Sequence, residues 1–138
     1  MVKKRKTGRY MLDTNALIGF IQTNKLPKDI REHLENFTGF MAVSVIVLKE
    51  IIHLVKVKNR HIGCKDISEV LQIIDAQNID VLPFTRYDLD VLNDLPVYQN
   101  NLDPTDRAIV AHAISMHATL ISSDAKFSQY KDLDLWSF

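Results

Sequence analysis

The sequence predicts an α/β fold with a central, mainly parallel sheet flanked by helices. Three observations carry this. Short apolar runs of strand length recur along the chain. Stretches with helical apolar spacing separate them. No repeat, linker or change of composition opens a second unit. With 138 residues, of which 46% are hydrophobic and 25% charged, the chain can bury a substantial core and is not of disordered composition. Residues 1–9 read as a basic N-terminal extension and residues 10–138 as a single domain.

The first strand is Tyr10-Met11-Leu12, leading to Asp13 and a helix whose apolar face is Ala16, Leu17, Phe20 and Ile21. Pro27 suits the first turn of a second helix running through Ile30, Leu34 and Phe37, and Gly39 stops it before a strand from Phe40 to Val43. Ser44 is a natural N-cap for a helix from Val45 to about Lys58. Beyond Gly63, the residues Ile67, Val70, Leu71, Ile73 and Ile74 mark another helix, ending near Asn78 before a strand from Ile79 to Leu82. Thr85 to Leu95 reads as a short helix and Pro96 to Leu102 as a loop. Asp103-Pro104-Thr105-Asp106 is a strong helix start: an acidic cap, Pro at the first helical position, and a second acid three residues after the cap. That helix is expected to reach about His117, followed by a strand from Ala118 to Ile121 and a last one from Leu133 to Trp136.

Charge and composition exclude several classes of protein. The 17 basic and 17 acidic residues cancel, so affinity for a polyanion cannot come from overall charge. The one basic cluster, Lys3 to Arg9, reads as a solubilising end or as an arm that touches phosphate. A lone Cys64 provides neither a disulfide nor a multi-cysteine metal site. No apolar run approaches the roughly 18–20 residues that span a bilayer. The expected location is the cytoplasm, with no membrane partner.

In an open parallel sheet, ligands bind beyond the carboxyl ends of the strands. Acids stand at those positions here. Asp13 follows the first strand, Asp124 follows Thr119-Leu120-Ile121, Asp106 begins the helix leading into that same region, and Glu50 lies two turns into the helix after the second strand. Each also has a purely structural reading: Asp13 and Asp103 as helix caps, Asp106 as part of a capping box, Asp124 as a turn residue, Glu50 as a solvent-facing side chain. In its apolar surroundings Glu50 needs a metal, a hydrogen bond, or Lys49 or His53 nearby. Three or four converging carboxylates repel one another unless a cation compensates, and hard oxygen ligands select Mg²⁺ or Mn²⁺ over zinc. A divalent ion there supplies Lewis acidity and an activated water, the requirements of phosphodiester hydrolysis.

Four blocks of sequence resemble the PIN-domain nucleases, and within them the VapC-type toxins of bacterial toxin–antitoxin pairs. These are Met11-Leu12-Asp13-Thr14-Asn15-Ala16-Leu17-Ile18, Val43 to Ile51, Asp103 to Ala113, and Leu120-Ile121-Ser122-Ser123-Asp124-Ala125-Lys126-Phe127. The resemblance implies a PIN-like three-layer sandwich and a metal-dependent ribonuclease in which Asp13, Glu50, Asp106 and Asp124 hold Mg²⁺ or Mn²⁺. It assigns Thr14, Asn15 and Ser122 to positions that orient the ligands through hydrogen bonds. Asp103 matches an additional acid of some members, and Arg107 is read either as a phosphate contact or as an ion-pair partner of a nearby acid. The implied partners are an RNA substrate such as tRNA or another structured RNA, a cognate antitoxin protein and a second copy of the chain.

Two other readings compete. A catalytically inactive PIN-like module would bind RNA or act as a scaffold, and a phosphatase of the haloacid-dehalogenase kind would also place an acid after its first strand. Asn15 stands where that phosphatase motif requires a second acid. The histidines His33, His53, His61, His112 and His117 offer a general base, which a metal-bound water does not require; His112 and His117 are read as ordinary helix residues, and Phe20, Phe37, Phe40 and Trp136 as core rather than base-stacking residues.

Overall fold

A computed structural model describes residues 8–22 and 25–138. The chain forms β1 (Arg9–Leu12), α1 (Thr14–Ile21), α2 (Lys28–Glu35), β2 (Phe40–Ser44), α3 (Val45–Lys56), α4 (Ile67–Ala76) and β3 (Asp80–Leu82). It continues through α5 (Arg86–Asp94), α6 (Pro104–Ser115), β4 (Thr119–Ser122), a 3-10 helix (Ala125–Gln129) and β5 (Asp134–Ser137). The strands make one sheet in the order β3-β2-β1-β4-β5, and every neighbouring pair is parallel. This is the α/β sandwich expected from alternating strands and helices.

Local chemistry explains most element boundaries. The Ser44 hydroxyl accepts from Ile46 N at 3.1 Å and starts α3, as its type predicts. The Asp103 carboxylate accepts from Thr105 N (2.8 Å) and Asp106 N (3.2 Å), with Pro104 opening α6. Thr85 and Asp88 form a capping box for α5. Pro27 stands one position outside its helix, at the N-cap, and contributes no side-chain bond there. The 3-10 helix was not expected: five residues are too short to display an apolar period, and Asp124 starts it by accepting from Lys126 N at 2.9 Å.

β1 is the central strand between β2 and β4, and β1 and β4 are both buried apart from Arg9. Leu12, Leu17, Val43, Ile51, Ile109 and Leu120 belong to one continuous core that joins the sheet to α1, α3 and α6. The Tyr10 ring meets His33 of α2, Phe37 just beyond that helix and Trp136 of β5, and its hydroxyl lies 3.1 Å from His33 Nε2. The core reading of Phe20 and Trp136 therefore holds, and Phe37 and Phe40 pack against the same cluster. Arg9, placed by the sequence in the basic extension, begins β1, and its guanidinium donates to Met116 O at 3.0 Å. The rest of the basic cluster, Lys3 to Lys6, lies outside the described residues. Among the described residues no helix is long and apolar enough to cross a membrane.

Candidate functional site

From β1 the chain moves outward through β2 to β3, then returns to lay β4 on the opposite side of β1. The strand order thus reverses between β1 and β4, and their outgoing connections diverge to open a crevice at the carboxyl ends. Asp13 leaves β1 there, with its N–H still donating to Ile121 O of β4 at 3.2 Å. A cavity of about 250 Å³ occupies this place. Asp13, Glu50, Asp106 and Asp124 all line it, so the fold brings together four acids spread over the sequence, two within α3 and α6 and two in the turns after β1 and β4. Asp103, Thr14 and Asn15 line it as well, and Leu54, Ile109 and Phe127 form an apolar wall.

The structural roles foreseen for these acids coexist with membership of the cavity. Asp13 caps α1 by accepting from Ala16 N at 2.8 Å. Burial pushes its carboxyl up to about 6, the Ser122 hydroxyl and Ala16 N–H oppose that, and the charges of Asp124 and Glu50 reinforce it. Asp106, in the first turn of α6, is half-buried, and burial followed by the charges of Asp103, Glu50 and Asp124 also pushes it up to about 6, with Lys126 acting in the opposite sense. Glu50 accepts a short hydrogen bond from the Thr14 hydroxyl. Lys49 and His53, considered from sequence as its compensating neighbours, are exposed. The partner comes instead from α1, which packs directly on α3 and brings the Thr14 hydroxyl to Glu50.

Ser122 links two of the acids, binding Asp13 and accepting from Asp124 N at 3.0 Å. Thr14 fixes Glu50, and Asn15 lies at the cavity edge. These are the positions at which hydrogen bonds orient ligands. Arg107 is not brought to the cavity. Its guanidinium donates to Pro96 O at 2.8 Å and Leu95 O at 3.3 Å, replacing both sequence readings with a clamp on the loop after α5.

Two cations that the sequence reading passed over stand here instead. Lys126 Nζ is 3.8 Å from Asp124 Oδ2, and Arg60 lines the cavity with Nη1 3.4 Å from Asn15 Oδ1. Neither stands out in sequence, since Lys126 lies in an unforeseen helix and Arg60 in a segment without motifs.

The donor set fits a hard divalent cation. It consists of carboxylate oxygens that raise one another's proton affinity, with hydroxyls behind them and no soft ligand in the cavity lining. Among the described residues no group of three or more His, Cys, Asp or Glu side chains is already spaced to hold a metal ion.

His112 lies elsewhere. It is buried, with Nδ1 2.7 Å from Ser44 Oγ, Nε2 3.6 Å from Asp88 Oδ2, and the ring edge-on to Phe84. Burial holds its pKa below the usual histidine value despite the Asp88 charge. It is unavailable as a general base at the acids.

No curated protein matches the chain by sequence. Solved structures of toxin–antitoxin proteins share its fold. VapBC2 from Rickettsia felis, bound to a DNA fragment from the promoter, superposes with a TM-score of 0.70 at 22% identity over 94% of this chain and 98% of that one. DNA-bound VapBC from Salmonella typhimurium gives 0.69 at 21% over 94% and 97%. VapBC-5 from Mycobacterium tuberculosis, a member of the VapBC family of toxin–antitoxin systems, gives 0.64 at 16% over 95% and 99%. The family model for the PIN domain matches residues 10–133, nearly the whole chain, and the protein belongs to the PIN domain family.

Proposed function

We propose that this PIN domain is a metal-dependent endoribonuclease and the toxin of a toxin–antitoxin pair. The observation that carries the reading is the convergence of Asp13, Glu50, Asp106 and Asp124 on one cavity at the switch point of the sheet. These four would hold Mg²⁺ or Mn²⁺, which would supply Lewis acidity toward a phosphate oxygen and make water at the site more acidic.

The chain's own residues prepare this chemistry. Ser122 and Ala16 N–H fix the Asp13 carboxylate, and Thr14 fixes Glu50, so the ligand oxygens are oriented before an ion enters. Burial of Asp13 and the mutual repulsion of the acids make the ionised pocket unfavourable without a cation, which gives it affinity for one. Leu54, Ile109 and Phe127 limit water on one side. Protons pass to and from solvent or the carboxylates, since His112 is sealed away.

The partners follow from the same reading: structured RNA such as tRNA as substrate, a cognate antitoxin, as in the VapBC structures, a homodimeric state, and a cytoplasmic location. PIN membership displaces the phosphatase reading, and the inactive module is the reading the assay must exclude. Purified protein is incubated with tRNA in Mg²⁺, in Mn²⁺ or in EDTA, beside Asp13→Asn and Asp106→Asn. Cleavage requiring both metal and carboxylates is expected. Metal-independent RNA binding with no cleavage by the wild type would place the protein among inactive modules.

A further inference from the structure

After α3 ends at Lys56 the chain turns sharply back at Asn59, which holds φ at +54°, a left-handed conformation that asparagine tolerates better than most residues. The turn is pinned on both sides of the next residue. Arg60 N donates to Leu54 O at 2.9 Å, and Ile62 is fully buried. His61 O also accepts from Gln22 Nε2 at 3.5 Å. An exposed arginine is thereby fixed at the edge of the carboxylate cavity.

Its partners there are unusual. Five carboxylates line the same cavity, namely Asp13, Glu50, Asp103, Asp106 and Asp124, yet among the described residues none forms an ion pair with Arg60. The one hydrogen bond from its guanidinium goes to the neutral amide of Asn15, the residue two places after Asp13. A guanidinium has five N–H donors in a planar fork, and among the described residues those not used on Asn15 meet no acceptor. An arginine needed only to neutralise acids would settle on one of them. One held beside them on a pinned loop, with donors to spare, suits a bidentate oxyanion that arrives with the substrate.

We propose that Arg60 binds a phosphate of the RNA backbone adjacent to the one at the acids, and so sets which bond enters the carboxylate cavity. This rests on the ribonuclease reading of the cavity. It gives the zero-net-charge chain a local point of attraction for a polyanion whose approach five carboxylates would otherwise oppose.

Arg60→Gln and Arg60→Lys are compared with wild type on the same tRNA in Mn²⁺, resolving kcat from KM. In parallel, binding of a short fluorescein-labelled single-stranded RNA is measured across salt in an Asp106→Asn background. Arg60→Gln is expected to raise KM roughly tenfold with kcat little changed, and Arg60→Lys to recover part of the loss. The slope of log affinity against log salt is expected to fall by about 0.7 with Arg60→Gln. Thermal melting confirms that each variant is folded. Unchanged KM and salt slope in Arg60→Gln, or a fall in kcat alone, overturns the assignment and leaves Arg60 as a support for Asn15. Cleavage by wild type beside an indistinguishable Arg60→Gln rejects Arg60 while leaving the nuclease reading intact. A wild type that neither binds nor cleaves RNA rejects both.

Discussion

Two polar clusters interrupt the apolar interior, and they share the same elements. The carboxylate cavity takes Glu50 from α3 and Asp106 from α6; the sealed cluster takes Ser44 from the cap of α3, His112 from α6 and Asp88 from α5. They differ in balance. In the sealed cluster most acceptors meet a donor, with His112 Nε2 the exception that has no hydrogen-bond partner among the described residues: Asp88 is pushed up by burial, but Thr85 N–H, the Ser115 and Thr85 hydroxyls and the nearby His112 together hold it below the usual carboxylate range. In the cavity nearly every group is an acceptor, and the neighbouring charges push Asp13 and Asp106 up. A balanced cluster stabilises the fold, whereas an unbalanced one is complete only with a ligand.

The largest expected effect breaks the cavity alone. Asp106→Asn should lower cleavage by on the order of 100-fold or more, above the range typical of outer-shell partners, with melting temperature preserved or raised in EDTA. Rate assays and thermal melting on one preparation test both halves. His112→Ala should do the reverse. Losing the buried imidazole leaves a cavity and removes the contact to Ser44 Oγ, at a cost of about 3 kcal/mol and a fall in Tm of roughly 10 °C, while cleavage per folded molecule stays close to wild type.

Much of this contrast could be read from sequence in one cluster and little in the other. The acids stand at strand ends and helix starts, where spacing along the chain determines position, so Asp13, Asp103, Asp106 and Asp124 were legible as candidates. Ser44 was legible too, as a helix cap. Its bond to His112 was not, because it joins residues 68 apart whose meeting depends on how α6 lies across the sheet. Arg60 escaped for a related reason: its place is set by a left-handed Asn59 and a buried Ile62 in a loop without periodicity. Arg107 shows the opposite error. Next to Asp106 in sequence, it points along α6 to the carbonyls of Leu95 and Pro96, since neighbours on a helix face different directions.

Acidity should separate the clusters by sign. Asp13 and Asp106 titrate at about 6 in the folded chain against 3.8 ordinarily, so the metal-free fold holds extra protons between those values, and their contribution to stability is lost as pH rises through about 6. Asp88 and His112 are shifted down, so theirs is present at neutral pH and lost on acidification. Melting in EDTA from about pH 5 to about pH 8 should therefore show Asp13→Asn and Asp106→Asn flattening the alkaline loss. Mn²⁺ should stabilise more at the alkaline end, by about 2.7 kcal/mol at a hundredfold excess over its Kd. An equal metal effect at both ends would separate the ion from these acids.

The smallest effect concerns the residues behind the ligands. Ser122→Ala removes a hydroxyl that serves both Asp13 and Asp124 and should cost roughly tenfold in cleavage, recoverable in part by higher Mn²⁺. Metal titrations of the rate distinguish this from misfolding.

The double duty of Asp13 has a consequence for heredity. Its oxygen both caps α1 and faces the cavity, and an asparagine keeps the acceptor for Ala16 N–H while giving up the charge. A single base change in an aspartate codon produces that exchange. On the toxin reading proposed above, cells selected to survive high expression should therefore repeatedly yield asparagine at this position, as a silent protein that still folds and accumulates.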